Sequence, residues 1–186
     1  VQTARSVGED GDLFTVRQGS IYESSLEDNS FDFAYARLVF QHLAEPGLAL
    51  KELWRILKPG GVLAVADVDD GLFMIYPEPP GFDEVVSQTA RLQAEKGGDR
   101  MIGRKMPHLM ANNGFINTDF RPFMVTSRTM GREVFLKVAL SFRCARTAGK
   151  EAGQEGFEAM ASDIRSRDGY GVVGVYAVRG EKANHA

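Results

Sequence analysis

The stretch FDFAYARLVFQHLAEPGLALKELWRILKPGGVLAVADVDDG (31–71) constrains the fold more than any other, because it reads as strand, helix, strand. FDFAYAR (31–37) alternates Phe31, Phe33 and Tyr35 with smaller or polar residues, the period-two pattern of a strand. In GLALKELWRILKPGG (47–61), Leu50, Leu53 and Leu57 recur at helical spacing with Trp54 beside them. Lys51, Glu52, Arg55 and Lys58 take the other face, and Pro46 sits near the start. KPGG (58–61) ends the helix with a lysine near its negative end, a proline that cannot continue it and glycines for the reversal. GVLAVADV (61–68) is a continuous apolar run, suited to a central strand covered on both faces. Such a unit usually places a ligand beyond the carboxyl ends of its strands. The glycine-rich loop expected to hold that ligand is not found in residues 1–30.

The remaining segments continue the alternation. LFTVRQG (13–19) reads as a short strand and SLEDNS (25–30) as a polar loop. Residues 69–81 read as a proline-bearing loop and 82–96 as a helix that GGDR (97–100) breaks. IGRKMPHLMANNG (102–114) carries Met106, Leu109 and Met110 at helical spacing, with Pro107 either kinking it or lying in its first turn. FINTDFRPFMVTS (115–127) alternates as a strand, Pro122 implying a bulge or an edge. Two helices over 131–147 and 150–167 and a last strand over 169–180 complete the chain. Strands alternating with helices give an α/β class with a mainly parallel sheet.

Bulk properties exclude several function classes. A chain of 186 residues is large enough for one domain with a real core. With 44% hydrophobic and 25% charged residues it is an ordinary globular composition rather than a disordered one. Net charge −3, without a basic block, disfavours a protein that grips a phosphate backbone irrespective of sequence. Cys144 is the single cysteine, so neither an internal disulfide nor a Cys-rich metal cage can form. That fits a reducing, cytoplasmic compartment, and the apolar runs are strand-length, far short of a membrane span.

With the elements in order, GS followed by LEDNSFDFAYARLVFQHLAEPGLALKELWRILKPGGVLAVADVDDG resembles the middle of a class I S-adenosylmethionine-dependent methyltransferase. More narrowly it resembles the UbiE-like group that acts on small molecules. The resemblance implies a Rossmann-like sheet, mainly parallel with an antiparallel last strand, and S-adenosylmethionine as cofactor. It implies methyl transfer to an oxygen, nitrogen or carbon atom of a small-molecule acceptor. Residues 13–19 match the family's third strand, and 31–37, 61–68, 115–126 and 170–178 its fourth to seventh. The first two strands, with the glycine-rich loop and the acidic ribose ligand, have no match. The expectation is therefore one partial, N-terminally truncated domain over 1–186, with substrate-side insertions at 69–100 and 127–168. In the family the missing strands separate the third from the fourth, so the edge of 31–36 is expected to be bare. A bare edge is a template for association, covered by a second copy or a partner chain unless the two remaining edges pair directly.

The same resemblance implies site residues. Gly19, Ser20 and Ile21 match the loop that lies against the adenine, where Ser20 replaces the usual acidic or amide residue and leaves the Ile21 backbone for the contact. Tyr22 then stacks on the base or is a surface tyrosine. Ala36, Arg37 and Leu38 match the strand end whose carbonyl accepts from the cofactor's amino group. Arg37 alternatively grips an acidic substrate.

Other candidates rest on residue chemistry alone. His42, beside Gln41, is a candidate general base or a packed histidine. Asp67 and Asp69 share one strand face and are candidates to orient or deprotonate a substrate, with turn chemistry in DDG as the alternative. No His/Asp cluster accompanies them, so a metal is not expected. Phe73, Met74, Ile75 and Tyr76 are apolar residues in a predicted loop, a substrate lid or core packing; Met130, Phe135 and Phe142 are candidates for the same pocket. Arg104 and His108 read as a solvated face and Cys144 as a small buried residue. Two functional readings stand: a methyltransferase, or a non-catalytic remnant of that fold that binds no cofactor alone and acts through assembly. A nicotinamide dehydrogenase would need its own glycine loop and an active-site Tyr/Lys arrangement, which are not seen.

Overall fold

A computed structural model describes residues 17–148 and 150–184. The elements are β1 (Phe31–Arg37), a 3-10 turn (Phe40–His42), α1 (Pro46–Ile56), β2 (Leu57–Tyr76), α2 (Phe82–Ala94) and α3 (Ile102–Asn112). There follow β3 (Phe115–Thr126), α4 (Ser127–Met130), α5 (Arg132–Leu136), a π-helical turn (Lys137–Ser141), α6 (Phe142–Ala148), α7 (Lys150–Ser166) and β4 (Tyr170–Lys182). Sheet order is β1-β2-β4-β3. β1 and β2 are parallel and β4 is antiparallel to both β2 and β3, so three strands run one way and the last returns between them. This is the Rossmann-like α/β arrangement expected from the sequence.

Most of the predicted strand 13–19 lies outside the described residues; its end, 17–19, forms no strand, and Ser20 and Glu23 make an isolated bridge. The predicted loop at 69–81 is corrected over its first half. β2 runs on to Tyr76, because Met74–Tyr76 pair with Tyr170–Val172 at the start of β4. The ladder breaks register between Asp69 and Met74, and this bulge buries Asp69 and Asp70 in succession, out of the period-two alternation.

Alternation sorts the two sheet faces. Leu63, Val65, Ala36 and Val178 pack against Ala49 and Leu50 of α1 and Met106 and Met110 of α3. Gly103 permits the closest approach, since a Cβ there would lie 2.9 Å from the Val68 carbonyl oxygen. Pro46 opens α1 at a position where its missing N–H costs nothing. Lys182, at the end of β4, closes that helix: its Nζ donates to the Trp54 and Leu57 carbonyls at 2.8 Å each. On the opposite face a shallow hollow runs over Tyr35, Ala64, Ala66 and Ala177, and Tyr35 and Phe33 stay 58% and 56% exposed. Among the described residues β1 pairs only with β2, so its other edge is open.

A second core lies under α5–α7. There Phe135, Leu136, Leu140, Phe157 and Ile164 pack on Phe73, Ile75 and Phe82. These helices form a cap over the end of the sheet where β1 and β2 point their carboxyl ends.

Candidate functional site

A cavity of about 410 Å³ lies between the sheet and the cap. Arg37, Leu38 and Val68 enter from β1 and β2, and Val125, Val173 and Val175 from β3 and β4. Met130, Phe135, Val138, Ala139 and Phe142 wall it from the cap. Its polar contributors are Gln41, His42, Arg100, Arg143 and Arg146, besides Arg37. No carboxylate is among the lining residues. The location, beyond the carboxyl ends of parallel strands, is where open α/β sheets hold ligands.

Leu38 has a left-handed backbone (φ 55°) and is 37% exposed. A residue with a Cβ pays for that conformation, and such strain concentrates at ligand sites. Its N–H donates to the Ala66 carbonyl at 2.8 Å, which pins the turn to β2.

The arginines are organised by one acid. Asp70 accepts from Arg100 Nε at 2.9 Å and Nη2 at 2.8 Å, and from Arg143 Nη2 at 2.7 Å. All three side chains are buried. The Arg143 guanidinium lies 4.3 Å from the Phe73 ring centre and 4.5 Å from that of Phe142. Burial lowers its pKa to about 10, against the pull of Asp70. Arg146 donates to Gln93 Oε1 at 2.7 Å.

That last bond sets the state of His42. With Gln93 Oε1 occupied, Gln93 Nε2 faces the Gln41 carbonyl at 2.8 Å and His42 Nδ1 at 2.7 Å. Nδ1 is therefore the acceptor, and the neutral ring carries its proton on Nε2. Burial depresses the His42 pKa, with Asp67 opposing and Arg100 and Arg146 assisting. This is the arrangement of a hydrogen-bond donor rather than of a free base.

Asp67 and Asp69 lie within β2, just before its bulge, rather than at a strand end, and alternation turns them to the α1/α3 face, away from the cavity. Both are fully buried. Asp67 accepts from its neighbour Val68 N at 2.9 Å and from Gln41 N at 3.2 Å, holding the turn that carries His42. Desolvation nonetheless raises its pKa. Asp69 accepts from Arg104 Nε at 2.6 Å and from Gly71 N at 2.9 Å. Arg104, read as a solvated residue, is thus the clamp between α3 and β2, a role fixed by a partner 35 positions away. His108 meets Asn112 on the same helix, at 2.9 Å.

Gly19, Ser20 and Ile21 do not line the cavity. Ile21 packs on the first core, and the loop is anchored at Ser24, whose N–H donates to Glu52 Oε1 at 2.8 Å. Ala36 is buried in the first core and does not line the cavity. Phe73 braces Arg143 instead of facing the cavity, and Tyr76 is 59% exposed beside Tyr170. Cys144 is buried, which raises its thiol pKa. Asp70, Gln93, Arg100, Arg143 and Arg146 were not singled out from the sequence. One signal was available: Arg143 continues the buried Leu136, Ala139, Leu140 spacing, so it occupies an apolar position of the cap.

Comparison with known proteins places this geometry. Residues 1–65 match the methyltransferase domain family. The chain is similar to an uncharacterized 37.1 kDa protein of transposon Tn4556 from Streptomyces fradiae, 31% identical over 139 residues, covering 70% of this chain and 39% of that protein. It is also similar to an uncharacterized methyltransferase of Schizosaccharomyces pombe, 34% identical over 90 residues, covering 48% of this chain and 32% of the relative. The chain thus spans about a third of the length of these curated relatives. Among solved structures, Haemonchus contortus phosphoethanolamine N-methyltransferase 2 in complex with S-adenosyl-L-methionine matches with TM-score 0.50 at 17% identity, over 89% of this chain and 36% of that one. The strand order and the reversed last strand give this chain the class I methyltransferase fold, and the match to the methyltransferase domain family covers its first 65 residues.

Proposed function

We propose that the chain is part of a UbiE-like small-molecule methyltransferase, with S-adenosylmethionine beside Ala36, Arg37, Leu38 and the Gly19–Ile21 loop, and the acceptor in the capped cavity. The observation that carries this reading is Leu38: a strained, left-handed residue on the cavity wall at the carboxyl end of β1. When bound, the sulfonium cofactor supplies an electrophilic methyl group; the protein's part is alignment and exclusion of water. The apolar wall from Phe135 to Phe142 excludes water. His42 offers Nε2–H as a donor to the acceptor, and Asp67 is a positioning residue that holds the 40–42 turn. The segments 69–100 and 127–168 serve the acceptor side of one partial domain, and the lone buried thiol fits a cytoplasmic setting. Among the described residues no helix is long and apolar enough to cross a membrane.

A second reading, a remnant that binds no cofactor alone, is favoured by the open β1 edge and by the loop 19–21 standing apart from the cavity. Calorimetric titration of S-adenosylmethionine into the 186-residue chain separates the two. Saturable heat, weakened in Leu38→Gly, supports the methyltransferase reading. No heat at millimolar cofactor leaves the remnant.

A further inference from the structure

The cavity has an apolar wall and a positive end. Two guanidiniums, Arg100 and Arg143, share the single carboxylate of Asp70, so the buried cluster keeps one unit of positive charge uncompensated. Arg146, one helical turn beyond Arg143 on α6, adds a third cation to the same wall, and Arg37 a fourth at the β1 end. Arg143 Nε is buried without a hydrogen-bond partner. A buried charge is normally paired and its donors satisfied. Its Nη1 donates to the Ala139 carbonyl and its Nη2 to Asp70, while the stacking between Phe73 and Phe142 holds the guanidinium flat and leaves Nε unsatisfied. What would complete the cluster is an oxygen anion, which guanidinium forks recognise by shape as well as charge. The remaining wall, from Val125 and Val173 to Phe135 and Val138, suits hydrocarbon.

We propose that this cavity takes an acceptor with an apolar body and an oxyanion head, a carboxylate or a phosphate ester, held by Arg143, Arg100 and Arg146. The proposal rests on the reading of the cavity as the acceptor site. It names the substrate class: an amphiphilic acid, not a neutral or cationic molecule.

The test is binding without cofactor, so its outcome is separate from that of the S-adenosylmethionine titration. Octanoate, octyl phosphate and octanamide are titrated into the 186-residue chain at fixed ionic strength. At least one of the two anions is expected to bind tenfold or more tightly than octanamide, and the tighter anion identifies the head group. Arg143→Met is expected to abolish the preference while octanamide binding persists. Arg146→Gln, which does not disturb the Asp70 cluster, is expected to reduce it severalfold and serves if the first variant fails to fold. Equal affinity for anions and octanamide overturns the proposal, as does an anion preference that survives Arg146→Gln and Arg143→Met unchanged.

Discussion

The Arg143 guanidinium donates to Asp70 Oδ1 at 2.7 Å, joining residues 73 positions apart. One belongs to the bulge of β2, the other to the helical cap. The bulge exists where the ladder to β4 slips, and its consequence is to turn Asp70 under the cap. The cap is therefore tied to the sheet by a buried charge as well as by apolar packing.

Asp70→Asn keeps the shape and removes the charge. Two buried guanidiniums then lack a counterion, a loss of about 3 kcal/mol by analogy with other broken buried pairs. Urea unfolding is expected to show a lower midpoint with an unchanged slope. Pairing Asp70→Asn with Arg143→Met is expected to cost less than the sum of the single changes, because removing Arg143 relieves one of the two guanidiniums that Asp70→Asn leaves without a counterion. Strict additivity would mean that the two side chains do not depend on each other.

Glu52 anchors the 24–28 loop to α1. It accepts from Arg55 Nε at 2.8 Å and from Ser24 N at 2.8 Å. The Arg55 hydrogen bond, helped by Ser24, lowers its pKa to about 2. A carboxylate held below its ordinary value stabilises the fold above about pH 4.5, and the contribution fades as pH falls toward 2. Glu52→Gln is expected to lose about 2 kcal/mol at neutral pH, the worth of charged hydrogen bonds. The gap between variant and wild type should close as unfolding is measured at progressively lower pH. A gap independent of pH would assign the loss to packing.

For His42 the sign is opposite to that of a histidine in an ion pair. Burial lowers its pKa below 6.5, so the neutral ring favours the folded state. Its stabilisation is complete above pH 6.5 and is lost as pH falls through the folded value. Proton NMR titration of the ring is expected to give a midpoint below 6.5, and Gln93→Leu is expected to alter the tautomer signature in the nitrogen shifts. A midpoint above 6.5 would contradict a neutral, Nε2-protonated ring.

The period-two and helical patterns of 31–37, 47–57 and 102–112 made β1, α1 and α3 legible in the sequence, because each spans local spacing and one face. The second half of β2 was not legible. Its polar DDG interrupts the alternation, and its partner, 170–172, lies near the other end of the chain. The site divides in the same way. Strand ends are local features, so Arg37, Leu38 and His42 could be named. The side on which Asp67 and Asp69 fall depends on which helices cover which face. Arg100 and Arg143 acquire meaning only from a carboxylate 30 and 73 positions distant.

Leu38 offers the sharpest separation of fold from site. Its left-handed backbone costs a residue with a Cβ about 1–2 kcal/mol, whereas glycine adopts it freely at an entropic cost of about 0.5–1 kcal/mol. Leu38→Gly is therefore expected to leave the thermal midpoint unchanged or raise it slightly. Leu38→Ala retains the strain, loses the apolar wall and should be the less stable of the two. If the strained turn presents the cofactor-binding backbone, Leu38→Gly should weaken S-adenosylmethionine binding despite its equal or greater stability. Loss of binding in step with loss of stability would show instead that Leu38 serves the fold alone.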